Sequence, residues 1–96
     1  AQKDKKLHGL YQEVRKIREK GKLNPIRLEE IFINLKLEFP NDWLLPLEIV
    51  ELVYDKNSQL KKNVINYLET LAENPTIAHL IKDGLELLEK DMKKII

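Results

Sequence analysis

Few side chains in this sequence have the type and spacing that chemistry requires. The two histidines, His8 and His79, lie far apart along the chain, and neither belongs to a known metal-binding motif. Ser58 is the only serine, and its position after a polar loop is typical of a helix cap rather than of a nucleophile. Glu48 and Glu51 are three residues apart and would share one face of a helix as solvated surface carboxylates. We therefore expect no catalytic, cofactor-binding or metal-binding residue in this chain.

Length and composition indicate a small domain with balanced charge. The 96 residues suffice for one hydrophobic core, so we expect a single domain over residues 1–96. Lysine and arginine number 17 against 16 aspartates and glutamates, which argues against nucleic acid or an anionic membrane as a partner. No apolar run reaches the roughly 18 residues of a membrane span. The absence of cysteine fits a reducing compartment, and the expected localisation is cytoplasmic.

Apolar residues recur at helical spacing through most of the chain and predict an all-α fold. A first helix is predicted over residues 3–20 and ends at Gly21. A second is predicted over residues 25–38, with Asn24 as its cap and Pro25 as its first residue. The residues expected to face inward are Leu7, Leu10, Tyr11, Val14 and Ile17 in the first helix and Leu28, Ile31, Phe32, Leu35 and Phe39 in the second.

A proline-bounded block, residues 39–49, separates the second helix from the third. Pro40 stops the second helix, because the residue before a proline disfavours helical angles. The third helix has two alternative starts: a cap at Asp42 with Pro46 in the first turn, or a separate turn at 43–45 with the helix beginning at Pro46. Residues 47–54 are apolar around much of a helix, which predicts a central helix with neighbours on more than one side.

Two further helices complete the predicted bundle. The fourth lies between a cap at Ser58 and a stop at Asn74 and Pro75, and the fifth runs from about Thr76 toward the C-terminus. The residues expected to face inward are Leu60, Val64, Ile65, Tyr67, Leu68 and Leu71 in the fourth helix and Ile77, Leu80, Ile81, Leu85, Leu88, Met92 and Ile95 in the fifth.

The packing of these helices can be predicted in outline. Gly84 lies inside the fifth helix, where glycine costs roughly 0.5–1 kcal/mol relative to alanine, so we expect Leu47 or Ile49 of another helix to pass close to it. Loops of about three to five residues favour a compact bundle of about five sequential antiparallel helices. The similar stops at Pro40 and Pro75 also allow helix-pair packing of the tetratricopeptide type.

Trp43, the only tryptophan, is the most distinctive side chain in the sequence. Beside a proline-bounded turn it is suited either to anchor a partner or to close one end of a small core, and in both cases we expect it to be partly buried. Together with four residues of the third helix it makes up the set of candidate interaction or structural anchors: Trp43, Pro46, Leu47, Val50 and Tyr54.

Two stretches carry a resemblance to a known family: residues 10–19, Leu-Tyr-Gln-Glu-Val-Arg-Lys-Ile-Arg-Glu, and the Pro-Asn-Asp-Trp-Leu-Leu core of residues 39–49. Over residues 7–88 the chain resembles the helical C-terminal extension of some bacterial aromatic amino acid hydroxylases of the phenylalanine 4-monooxygenase type. The resemblance implies a non-catalytic domain that docks, oligomerises or regulates. In that family a separate domain binds ferrous iron through two histidines and a glutamate and uses tetrahydropterin. His8 and His79 do not match its iron-binding motif, so no ligand is carried over.

Two functions remain open from the sequence. One is an accessory domain of a longer chain, consistent with a sequence that begins with Ala, whose partner would be the rest of its own chain or a second copy. The other is a freestanding protein–protein interaction module of tetratricopeptide-like type. An apolar patch left exposed on the third helix, among Leu47, Ile49, Val50, Leu52 and Val53, would favour a large partner at that surface.

Overall fold

The computed structural model describes residues 2–94, except for the side chain of Lys94, and these residues form an all-α bundle as predicted. Ile95, which was expected to face inward, lies outside the described residues. No helix within residues 2–94 is long and apolar enough to cross a membrane. The helices are α1 (Gln2–Lys20), α2 (Pro25–Glu38), α3 (Leu44–Val53), α4 (Ser58–Leu71) and α5 (Pro75–Lys94).

Most helix ends follow the local signals in the sequence. Gly21 ends α1 with a φ of 67°, a conformation that glycine adopts without strain. Asn24 caps α2, since its side-chain oxygen accepts a hydrogen bond of 3.2 Å from the backbone N–H of Arg27. The predicted cap at Ser58 is wrong. Asn57 caps α4 instead, accepting a 3.0 Å hydrogen bond from the N–H of Leu60, because an extended asparagine caps a helix as well as serine does.

The start of α3 matches neither alternative fully. The helix begins at Leu44, so Pro46 occupies the third helical position. A proline is tolerated there because the first turn's N–H groups have no acceptor within the helix; the first bond runs from the N–H of Leu47 to the carbonyl of Trp43, at 3.3 Å. Asp42 does not cap the helix, because its carboxylate accepts hydrogen bonds from the Tyr11 hydroxyl at 2.9 and 3.1 Å.

Helix α3 is the centre of the bundle, as its apolar sequence predicts. It contacts each of the other four helices, most extensively α4. Ile49, Val50 and Val53 are completely buried, and Leu52 is half-buried. The buried hydrophobic residues of the described chain are Leu10, Val14, Leu28, Ile31, Phe32, Leu35, Leu45, Ile49, Val50, Val53, Leu60, Val64, Leu68, Ile81 and Leu88.

Helices α1 and α2 run antiparallel but are joined chiefly by charge. Arg27 donates to both carboxylate oxygens of Glu13, and Lys6 pairs with Glu38 at the other end. The hydrogen bond from Arg27, with its positive charge, lowers the pKa of Glu13. The backbone of α1 lies closer to that of α3 than to that of α2. Within the predicted bundle, α2 buries its apolar stripe against α3 and α4 and not chiefly against α1.

The expected close approach at Gly84 is confirmed. A Cβ atom built on Gly84 would lie only 2.7 Å from Cδ2 of Leu47. Real carbon atoms do not come that close without a shift. The glycine thus lets α5 lie against the first half of α3, and this contact defines the surface described next.

Candidate functional site

Exposed large apolar side chains occur in two separate places on the described surface. Three lie on one face of α2, namely Ile26, Ile33 and Leu37. Three others lie where α3 begins and along α5, namely Leu44, Leu80 and Leu87. The first group is a stripe on one helix, whereas Leu44 and Leu87 of the second group line a groove and Leu80 lies one turn before it on α5. Concave apolar surfaces are the preferred sites of ligand and partner binding, so the groove is the candidate site.

We define the α3–α5 groove by the residues that line it. Its volume is about 310 Å³. Each helix contributes a stripe two turns long with the i, i+3, i+4, i+7 spacing of a single helical face, and Arg18 of α1 lies at one end. The lining residues are Leu44, Leu47, Glu48, Glu51, Gly84, Leu87, Leu88, Asp91 and Arg18.

Both walls of the groove carry leucines, and the two helices approach each other closely at Gly84. Leu44 is 45% exposed and Leu87 is 62% exposed, whereas Leu88 is buried. Leu47 is half-buried and fills the space beside Gly84, since a Cβ atom there would lie 2.7 Å from its Cδ2. A larger side chain at position 84 would occupy the space between the two helices. The result is an apolar channel whose walls are not covered by any described part of the chain.

One end of the groove carries charge. The carboxylates of Glu48, Glu51 and Asp91 line it together with the guanidinium of Arg18. Arg18 lies 3.4 Å from a carboxylate oxygen of Glu51 and 3.9 Å from Oε1 of Glu48. The second oxygen of Glu48, Oε2, is buried and has no hydrogen-bond partner. Because Oε2 is enclosed by the protein, a donor in the groove would meet the exposed carboxylates of Glu51 and Asp91 and the exposed part of Glu48 instead.

The five predicted anchors do not lie together at this groove. Leu47 lines it directly. Pro46 and Val50 are buried in the core, and Trp43 is partly buried against the core, as expected for either of its proposed roles. Tyr54 is half-buried at the far end of α3, where the ammonium of Lys61 lies 4.1 Å from its ring centroid.

The groove was not recognised in the sequence because Leu80 was assigned to the wrong face. Leu80 was expected to face inward, but it is 41% exposed. Helix α5 packs against α3 and α4 with one of its sides. It carries more apolar residues than that side can hold, so some of them remain exposed. The available signal was the second α5 stripe of Leu80, Gly84 and Leu87, which shares its face with Asp91.

The residues considered for catalysis do not converge. His8 and His79 are both exposed, and Ser58 begins α4 as an ordinary surface residue. Each histidine has an aspartate one helical turn away, Asp4 before His8 in α1 and Asp83 after His79 in α5. No group of three or more His, Asp or Glu side chains within residues 2–94 is placed to hold a metal ion. Glu48 and Glu51 do share a face, as predicted, and both face Arg18.

A second polar contact lies at the turn before α3. The hydroxyl of Tyr11 donates to Asp42, and burial together with this hydrogen bond raises the pKa of Tyr11 above its ordinary value. Burial and the charge of Asp42 also raise the pKa of Tyr67, whose buried hydroxyl has no hydrogen-bond partner. The hydrogen bond of Tyr11 therefore joins α1 to the turn before α3.

This contact predicts a loss of stability at high pH. Because its pKa is raised, Tyr11 keeps its proton in the folded state at a pH where the unfolded chain has released it. The contribution of Tyr11 to the free energy of unfolding is therefore fully present below about pH 10 and is lost as the pH rises above that value. We expect the urea midpoint to fall as pH rises past about 10 and to fall less steeply in Tyr11→Phe. Equal slopes for the two proteins would contradict the proposed coupling.

Comparisons of the chain with protein-family models, with curated proteins and with solved structures find no match. The resemblance to the extension of aromatic amino acid hydroxylases therefore stays a prediction that rests on residues 10–19 and 39–49.

Proposed function

We propose that this chain is a non-catalytic helical domain that binds a protein surface through the α3–α5 groove. The observation that supports it is the exposure of Leu44 and Leu87 on the two walls of one concave surface, with exposed Leu80 one turn before Gly84 on α5. Because these leucines are already about half covered, covering the rest of each one contributes roughly 1 kcal/mol of transfer free energy, less the entropy of association. Central positions of α3 need no partner, because Ile49, Val50 and Val53 are already covered within the domain.

The proposed partner is either the rest of a longer chain or a separate protein. The first arrangement is that of an accessory domain of an iron- and pterin-dependent aromatic amino acid monooxygenase, and its support is the residue likeness alone. The second is a freestanding interaction module, whether or not its helix pairs are tetratricopeptide-like. Both arrangements use the groove in the same way, and neither assigns a catalytic, metal or cofactor-binding residue to this chain.

The native polypeptide can be captured from its own cells with an antibody against this domain, as wild type, as Leu87→Gln and as Leu37→Gln. Leu37 is a matched control, since it is 77% exposed on α2 and lies outside the groove. A band several-fold above 11.3 kDa with bound iron would support the hydroxylase accessory domain. For that longer chain, Leu87→Gln should speed proteolytic release of the domain and Leu37→Gln should not.

A band near 11.3 kDa without iron would contradict the hydroxylase proposal and favour the freestanding module. In that case one protein should be captured with wild type and Leu37→Gln and lost with Leu87→Gln. If neither release nor capture distinguishes the two leucine variants, the groove is not the docking surface and the proposed function is wrong.

A further inference from the structure

The shape of the α3–α5 groove matches a helix rather than an extended strand. Each wall is one face of a helix, formed by positions 44, 47, 48 and 51 on α3 and by 84, 87, 88 and 91 on α5. Two turns span roughly 11 Å, and Leu80 extends the α5 wall by a further turn. A third helix laid between two helices buries side chains at i, i+3 or i+4 and i+7 against both walls.

The charges around the groove select a positively charged occupant. Three carboxylates line the groove against the single guanidinium of Arg18, and the cleft beside Leu87 is lined by Asp83 and Glu86 against Lys90. Glu48 exposes 20% of its side chain, and its Oε1 lies 3.9 Å from Arg18, at the outer limit of an ion pair, so a second cation can approach the exposed part of this carboxylate; its Oε2 is enclosed by the protein. A lysine or arginine on the occupant would pair with Glu48, whereas an acidic occupant would be repelled.

Helices α1 and α2 of a second copy do not supply such a helix from their described surface. The apolar stripe of α1 faces the core, where Leu10 and Val14 are buried. The exposed stripe of α2 carries Glu30 one turn after Ile26, which would add a carboxylate to an already acidic groove. The charge pattern therefore favours a segment different from α1 and α2 of this domain.

We infer that the occupant of the α3–α5 groove is a basic amphipathic helix, with apolar residues at i, i+3 and i+7 and a lysine or arginine beside them that reaches Glu48. This inference rests on the proposed docking function and adds the chemistry of the partner. The apolar residues of the occupant would pack on Leu44, Leu47 and Leu87 of the groove. Its basic residue would lie near Glu48, where Glu51 and Asp91 add negative charge.

A displayed peptide library tests the inference. The peptides are helical, carry leucine at i, i+3 and i+7, and vary among lysine, glutamate and glutamine at the remaining positions. They are selected on the wild-type protein, on Leu87→Gln and on the control Leu37→Gln, none of which changes the charge of the protein. We expect lysine-rich peptides to be enriched by wild type and by Leu37→Gln, and not by Leu87→Gln.

The most enriched peptide is then measured in solution by fluorescence anisotropy. Glu48→Gln should weaken its binding about tenfold, and binding should weaken further as salt screens the charges. The circular dichroism spectrum of Glu48→Gln should stay that of wild type, because this residue is not in the core.

Each other outcome overturns a defined part of the proposal. Enrichment of glutamate- or glutamine-rich peptides that still depends on Leu87 would overturn the basic occupant and leave the docking groove in place. Lysine-rich peptides that bind wild type and Leu87→Gln equally would show binding elsewhere and overturn the occupant of this groove. If no peptide distinguishes wild type from Leu87→Gln, the groove binds no such helix and the inference is wrong, whereas the proposed function is overturned only if the capture and release experiments also fail to distinguish Leu87→Gln from Leu37→Gln.

Discussion

Replacing Val50 by aspartate should leave the domain unfolded at neutral pH. Val50 is completely buried in α3, which contacts every other helix of the bundle, and the buried core of the described chain contains no polar or charged residue. An unpaired buried carboxylate costs several kcal/mol, which is comparable to the total stability of about 5–15 kcal/mol of a small domain. Circular dichroism should show the loss of the helical signal, and a thermal melt should show no cooperative transition.

Leu37→Asp is the matched control for this prediction. It introduces the same charge at a position that is 77% exposed on α2, so the protein should remain folded with a midpoint close to that of wild type. A folded Val50→Asp protein with a midpoint like that of the control would contradict the central position of α3. The milder change Val50→Ala should give a measurable loss of about 2 kcal/mol in a protein that still folds.

Phe32→Ala should give the second-largest loss of stability, about 3–5 kcal/mol. The Phe32 side chain is 4% exposed, and its ring packs edge to face on Tyr67 with centroids 5.5 Å apart and an interplanar angle of 75°. Truncation removes the buried area and this aromatic contact, which joins α2 to α4. The free energy of unfolding, measured in urea, gives the loss directly.

The neighbouring residue Ile33 provides the control for Phe32. Ile33 is on the same helix but is 47% exposed, so Ile33→Ala should change the free energy of unfolding far less. Equal losses for Phe32→Ala and Ile33→Ala would mean that the assigned inner and outer faces of α2 are wrong. If the assigned faces are right, a double-mutant cycle with Tyr67→Leu should show coupling for Phe32 and none for Ile33.

The helices could be predicted because their signals are local. Gly21 and the Asn24–Pro25 pair act on the backbone within one turn, and both predictions are confirmed. Local signals also explain the errors, since Asn57 and Ser58 are equally good caps in adjacent positions and only the folded chain selects Asn57. Gly84 was informative about tertiary packing because a helix interior has no local reason to favour glycine.

The candidate groove could not be predicted in the same way. Leu80, Leu85 and Leu88 all fall on apolar stripes of α5, and periodicity does not say which of them the neighbouring helices cover. The exposure of Leu87 and Leu44 depends on the angle at which α5 crosses α3, which is set by distant packing. The pairing of Tyr11 with Asp42 likewise required the turn before α3 to reach α1, and that contact spans 31 residues of sequence.

The most direct measurement of the central claim is site-specific photo-cross-linking in the cells that produce the protein. A photo-reactive leucine analogue is placed at position 87 in the groove and, as a control, at position 37 on α2. We predict that position 87 forms cross-links to one defined helical segment, either of the longer native chain or of a single partner protein, and that position 37 does not. Cross-links from position 87 that are no more frequent or specific than those from position 37 would contradict the proposal that the α3–α5 groove is a docking surface.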